Sequence, residues 1–142
     1  MQIILSTGLC AIFALLGAWH LYWASGGQVA MGGAVPEVGG RPAFSPSRAS
    51  TAAVGVALLA CSMLLAVCGH LTDPWLPPAV GSGLCFALAL ALALRAIGDF
   101  RLVGFFKRVR GSTFARRDTV VYSPLCLLLA AGVFVIGRGY AG

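Results

Sequence analysis

Acid is scarce in this chain. Across 142 residues there are four carboxylates, Glu37, Asp73, Asp99 and Asp118, against ten basic residues, and only 10% of the chain is charged. A soluble domain averages about 25% charged residues. With 59% hydrophobic residues there is too little polar surface to keep a monomer dissolved, so a membrane protein is expected. No ionisable residue falls in the middle of an apolar run, which argues against an ion pump or a proton-coupled carrier with a midplane carboxylate. Asparagine is absent and lysine occurs once, against nine arginines; with abundant Ala, Gly and Leu this composition suggests a bacterial, GC-rich source. The five cysteines (Cys10, Cys61, Cys68, Cys85, Cys126) lie inside apolar runs without a C-x-x-C pair, as small buried hydrophobes do. The glycine pairs of the 25–49 loop match neither a dinucleotide-binding nor a phosphate-loop pattern. Two histidines without an acid cluster make a poor metal site, so neither a metal nor a cofactor is expected.

What is present is four long apolar stretches and one basic one. About 20 residues of helix cross a hydrocarbon core of about 30 Å. The pattern predicts an all-α integral membrane four-helix bundle, one domain, with helices at about 2–24, 50–71, 79–100 and 123–140. The first apolar run lacks the basic flank and small-residue cleavage site of a signal peptide, so it is expected to stay as a span. Residues 25–49 carry the pairs Gly26-Gly27, Gly32-Gly33 and Gly39-Gly40 with Pro36, Pro42 and Pro46, and are expected to form a loop. On a helical wheel over 100–110, Leu102, Phe105, Phe106 and Val109 share one side and Arg101 and Arg108 lie opposite, which predicts a short interfacial amphipathic helix. Polar loop is expected over 112–118.

Seven of the ten basic residues fall between Arg95 and Arg117. Four spans put nine of the ten at one end of the bundle and only Arg138 at the other. The positive-inside rule then predicts cytoplasmic long loops and both termini outside, in the bacterial inner membrane. Basic residues beside apolar spans point to anionic lipid and topology rather than to nucleic acid.

The candidates for chemistry collect at that basic end. Trp19, Tyr22 and Trp23 form an aromatic belt around His20. His20, Asp99 and Asp118 are the candidates for proton transfer, since a histidine near a carboxylate can act as acid or base. The blander alternative for His20 is an interfacial histidine bonded to backbone or water. Arg95, Arg101 and Lys107, with Tyr22 and Trp23, are the candidate ligand-holding residues, because the planar fork of Arg suits an anionic head group. Arg95 and Asp99, four apart, are expected to pair on one helix face. His20 and His70 are expected at opposite ends, about 30 Å apart, which rules out a shared haem.

Two motifs resemble a known family. One is His20-Leu21-Tyr22-Trp23 followed by Gly26-Gly27 and the Pro-Ala-Phe-Ser-Pro loop at 42–46. The other is Arg95-Ala96-Ile97-Gly98-Asp99-Phe100-Arg101, then Gly104-Phe105-Phe106-Lys107, Phe114-Ala115, Asp118 and Tyr122-Ser123-Pro124-Leu125-Cys126. Both are similar to the DUF3995 family, small bacterial integral membrane proteins of unknown function. The resemblance implies four transmembrane helices and assigns neither activity nor catalytic residues.

Three functions follow as expectations. The leading one is binding of a lipid or other amphipathic small molecule, or of a partner subunit, at the cytoplasmic end. The second is a small membrane enzyme using His20 with Asp99 or Asp118 on an anionic amphipathic substrate. The third is a transporter or channel component working as an oligomer. Expected partners are membrane lipids and either further copies of the chain or another membrane subunit; nucleic acid is not expected.

Overall fold

A computed structural model of the chain describes residues 2–30, 34–39 and 41–142. The Gly32-Gly33 pair and Gly40 lie outside the described residues. Helix α1 spans Gln2–Ala24, α2 Arg48–Cys68, α3 Pro78–Ile97, α4 Thr113–Arg117 and α5 Ser123–Ala141. Two short strands, β1 (Glu37–Val38) and β2 (Arg41–Pro42), pair antiparallel inside the first long loop. A π-helical turn over Asp118–Tyr122 joins α4 to α5, so Thr113–Ala141 runs as one helical rod of 29 residues. Among the described residues four helices are long and apolar enough to cross a membrane, and the chain is a multi-pass membrane protein.

The helix ends follow from local chemistry. Ser47 precedes α2 and its side chain accepts the Ser50 N–H at 3.0 Å, so α2 starts two residues before the expected position. The same helix stops at Cys68 rather than 71. Beyond Gly69, His70 takes a left-handed φ of 56°, while its N–H reaches Val67 O and that of Leu71 reaches Ala66 O. Those two bonds form a Schellman closure with a histidine where glycine is usual. Pro78 opens α3, at a position where a missing N–H costs nothing.

The segment after α3 departs from expectation. Helix α3 ends at Ile97, not near 100, and residues 98–111 form an irregular loop instead of an amphipathic helix. The physical reason lies in Asp99 and the glycines. Asp99 Oδ1 accepts the N–H groups of Arg101, Leu102 and Val103 at 2.9, 2.7 and 3.0 Å, a side-chain turn that competes with the helix ladder. Gly98 and Gly104 both have positive φ, 96° and 88°, and their backbones touch; a Cβ on either would collide with the other's main chain. The loop then lies back on the end of α3, where Phe105 N–H donates to Ala96 O at 2.9 Å. The apolar period of Leu102, Phe105 and Val109 therefore reflects a loop half-buried on the bundle end. Residues 113–118, expected as loop, are helical, because Ser112 accepts the Ala115 N–H and starts α4.

Helix α1 packs chiefly against α2, and α3 against α5. Between the two pairs lies a core of Leu9, Phe13, Leu65, Val67, Leu129, Val133 and Ile136. Gly17 and Gly55 face each other at a close approach of α1 and α2; a Cβ on Gly17 would sit 2.9 Å from Gly55 O. Halfway along, Ser62 Oγ donates to Cys10 O at 2.9 Å and Cys10 Sγ donates to Ser62 O at 3.3 Å. At the end carrying the termini, Tyr140 Oη donates to Leu76 O at 2.6 Å and its ring packs on His70. The outer faces are apolar, with Ile4, Leu15, Leu90 and Leu128 all largely exposed, as lipid contact requires.

The α1–α2 approach gives a paired test. Gly17→Ala pushes a methyl against backbone and should lower stability by about 1–3 kcal/mol. Gly8→Ala, on the same helix with nothing within 4 Å, should leave stability unchanged or raise it. Thermal unfolding of both variants in detergent measures the difference.

Candidate functional site

The end of the bundle made by the C-terminal turns of α1 and α3 and the start of α2 carries the charge. Its organising group is Asp118, the first residue of the π-helical turn, which is fully buried. The turn closes with the Ser123 N–H on Asp118 O, one residue wider than an α-helix. π-helical turns of this kind occur often at functional positions.

Three donors meet the Asp118 carboxylate. Arg95 Nη2 lies 2.8 Å from Oδ1; Lys107 Nζ and Gly104 N lie 3.0 and 2.7 Å from Oδ2. Lys107 is itself buried, and its ammonium donates also to Gly104 O at 2.9 Å and Thr119 Oγ1 at 2.6 Å. Its three protons are thereby used. Charge-assisted bonds of this kind are about twice as strong as neutral ones, and in a dry site they are what offsets the desolvation of the ions. Two cations meet one carboxylate, so the cluster keeps one positive charge. Part of it resides on Arg95, whose side chain is 35% exposed and whose Nη1 is buried with no hydrogen-bond partner among the described residues.

Above Arg95 opens a cavity of about 770 Å³. Its walls are Trp23, Val54, Leu102 and Phe114, with Phe44 and Pro46 from the first long loop folded across; His20, Arg48, Arg95 and Asp99 supply the charged and titratable groups. His20 Nδ1 lies 2.7 Å from Leu16 O. A carbonyl only accepts, so Nδ1 carries the proton and Nε2 is the remaining ring nitrogen. Trp23 packs edge-on against His20 at 5.2 Å and its Nε1 donates to Val29 O at 2.8 Å. In Asp99, the bond from Val103 N–H, reinforced by those of Leu102 and Arg101, outweighs a small desolvation and holds the carboxyl below its usual range. Asp99 is thus a carboxylate at neutral pH.

The structure sorts the residues expected from sequence. His20, Trp23, Arg95 and Asp99 come together on the cavity wall. Asp118 belongs to the floor beneath Arg95, committed to two cations and without an exposed oxygen to move protons. The expected Arg95–Asp99 pair does not form: Arg95 reaches Asp118, 23 residues on, because Asp99 is turned to the 101–103 amides. Lys107 is buried, and its ammonium is taken up by Asp118, Gly104 O and Thr119. Arg101 is exposed and outside the cavity, contributing its N–H to Asp99. Tyr22 is also outside it, tilted on Trp19 at 5.8 Å, with its ring over Gly27. Sequence reasoning missed Arg48 and Phe114 as site residues. Asp118 stood among the candidates, and the signal for its structural role was that it directly follows Arg116 and Arg117 in the most basic stretch of the chain.

The chain belongs to the family described as "Protein of unknown function (DUF3995)", which it matches over residues 13–133. The match covers both motifs and all the groups around the cavity. No curated protein and no solved structure matches the chain.

Asp118→Asn leaves the buried Lys107 ammonium without its counter-charge and should cost about 3–5 kcal/mol. Adding Lys107→Met should recover part of that loss by removing the stranded cation, a non-additivity that unfolding of the two singles and the double in mixed micelles will display. Equal stability of Asp118→Asn and wild type would remove the cluster's structural role.

Proposed function

We propose that this DUF3995 member binds an amphipathic small molecule with an anionic or strongly polar head at the basic end of its bundle. The observation that carries this reading is the cavity itself: apolar walls, a few convergent polar groups, and the partly exposed Arg95 side chain in its lining. Ligand sites typically combine these features at about this size. The apolar tail of such a ligand would lie against Trp23, Val54, Leu102 and Phe114, and its head toward Arg95 and Arg48. By the positive-inside rule this end faces the cytoplasm of a bacterial inner membrane, with both termini outside.

A second reading, a small membrane enzyme, is favoured by one observation: His20 and Asp99 line the same cavity. There His20 Nε2 would take a proton from a bound substrate while the Asp99 charge stabilised the imidazolium. His20→Ala separates the two readings, since it would abolish turnover in the enzyme and leave binding largely intact.

Native mass spectrometry of the protein released from a mild detergent tests the binding proposal. A defined small-molecule adduct should be retained by the wild type and lost in Thr51→Trp, which fills the cavity, and in Arg48→Ala. An adduct that survives both substitutions, or a bare wild-type protein, would overturn it. Orientation is tested separately. A cysteine placed at Phe44 in a background without the five natural cysteines should resist a membrane-impermeant maleimide added to intact cells and react after permeabilisation.

A further inference from the structure

A second opening lies on the other side of the Asp118 cluster. It is a cleft of about 690 Å³ between the 105–112 loop and α4. Arg110, Arg116 and Arg117 line it together with Ser112, Thr113 and Phe105, and no carboxylate does so among the described residues. Asp118, the nearest acid in sequence, is buried and already committed to Arg95 and Lys107. The three guanidiniums therefore have no protein counter-ion in the cleft. Arg110 is held in place by its Nε, which lies 3.4 Å from Lys107 O, and Arg116 and Arg117 project from a helical turn whose start is fixed by Ser112. The Ser112 Oγ accepts the Ala115 N–H and keeps its own proton to donate.

We infer that this cleft is a second binding site, for a phosphate-bearing anion, and that its occupant is the headgroup of an anionic phospholipid. Planar guanidiniums hold phosphate oxygens in pairs, and hydroxyls at the rim add donors. The absence of a carboxylate in the lining selects against a zwitterionic headgroup, whose ammonium would meet three cations. The lipid source follows from position: α4, whose arginines line the cleft, runs on through the π-helical turn into the spanning helix α5, and the cleft borders the half-buried Phe105, a position that suits headgroup depth. A soluble phosphate ester shares the chemistry, and the experiment separates the two. The inference does not depend on the cavity above Arg95.

The test is titration of the detergent-solubilised protein with short-chain phosphatidylglycerol and phosphatidylcholine, read by native mass spectrometry. Wild type should bind the anionic lipid at least about tenfold more tightly than the zwitterionic one, and Arg116→Gln/Arg117→Gln should lose that preference by about tenfold. The charge-matched control Arg101→Gln/Arg108→Gln, exposed and outside both openings, should change affinity by less than about twofold, as a surface charge does. Inorganic phosphate is the competing probe. If it fails to displace phosphatidylglycerol, the lipid is the occupant. If it displaces the lipid and binds alone with the same dependence on Arg116 and Arg117, the site stands and the lipid assignment is overturned. Equal losses in the two double variants would reduce the effect to net charge and overturn the site, as would equal affinity of wild type for the two lipids.

Discussion

A single buried carboxylate holds the basic end of this bundle together. Asp118 draws in Arg95 from the last turn of α3, Lys107 from the following loop and the Gly104 amide, and so joins three segments that sequence separates by up to 23 residues. Burying such a carboxylate without partners would cost far more than a small membrane domain can offset. With three charge-assisted or backbone donors it becomes a fastener. The remaining geometry depends on it: the 98–104 turn cannot lie against α3 unless Gly98 and Gly104 meet, and the Gly104 amide is what Asp118 pulls inward.

The fastener also divides the end of the protein into two faces. On one side is the cavity with apolar walls, His20 and the half-engaged Arg95; on the other is the arginine cleft. The outer helix faces meet hydrocarbon, so polar recognition is confined to the membrane ends. At the opposite end Tyr140 and His70 pack together with Leu76, and Arg138 and Asp73 are the charged side chains among the described residues, which fits a structural closure rather than a site.

Much of this was legible in the sequence. Apolar run length predicts four spans, and four helices of that kind are present among the described residues; His20, Arg95 and Asp99 line one cavity at the basic end. The failures were local and have a common cause. Helical periodicity over 100–110 and the four-residue spacing of Arg95 and Asp99 both assume that the helix continues. It does not, because Asp99 binds the next amides itself and Gly98 turns the chain. An Asp followed at short range by glycine signals such a turn, but the partner of Gly98 is Gly104, and that closeness exists only in three dimensions. The same holds for Lys107. Its place in a basic run reads as surface charge, yet the loop folds it inward onto Asp118. Phe44 belongs to the cavity because the first long loop folds over it, and Arg48 joins it from the first turn of α2.

Hydrogen–deuterium exchange on wild type and Asp118→Asn in nanodiscs tests most directly whether Asp118 holds this end together. In the wild type the amides of Arg101 to Val103, Gly104, Phe105 and Val109 are all bonded and should exchange slowly for a loop. In the variant they should exchange rapidly as one unit, while α1, α2 and the membrane part of α5 stay protected. Protection of the 101–109 amides that survives loss of the carboxylate would contradict the account.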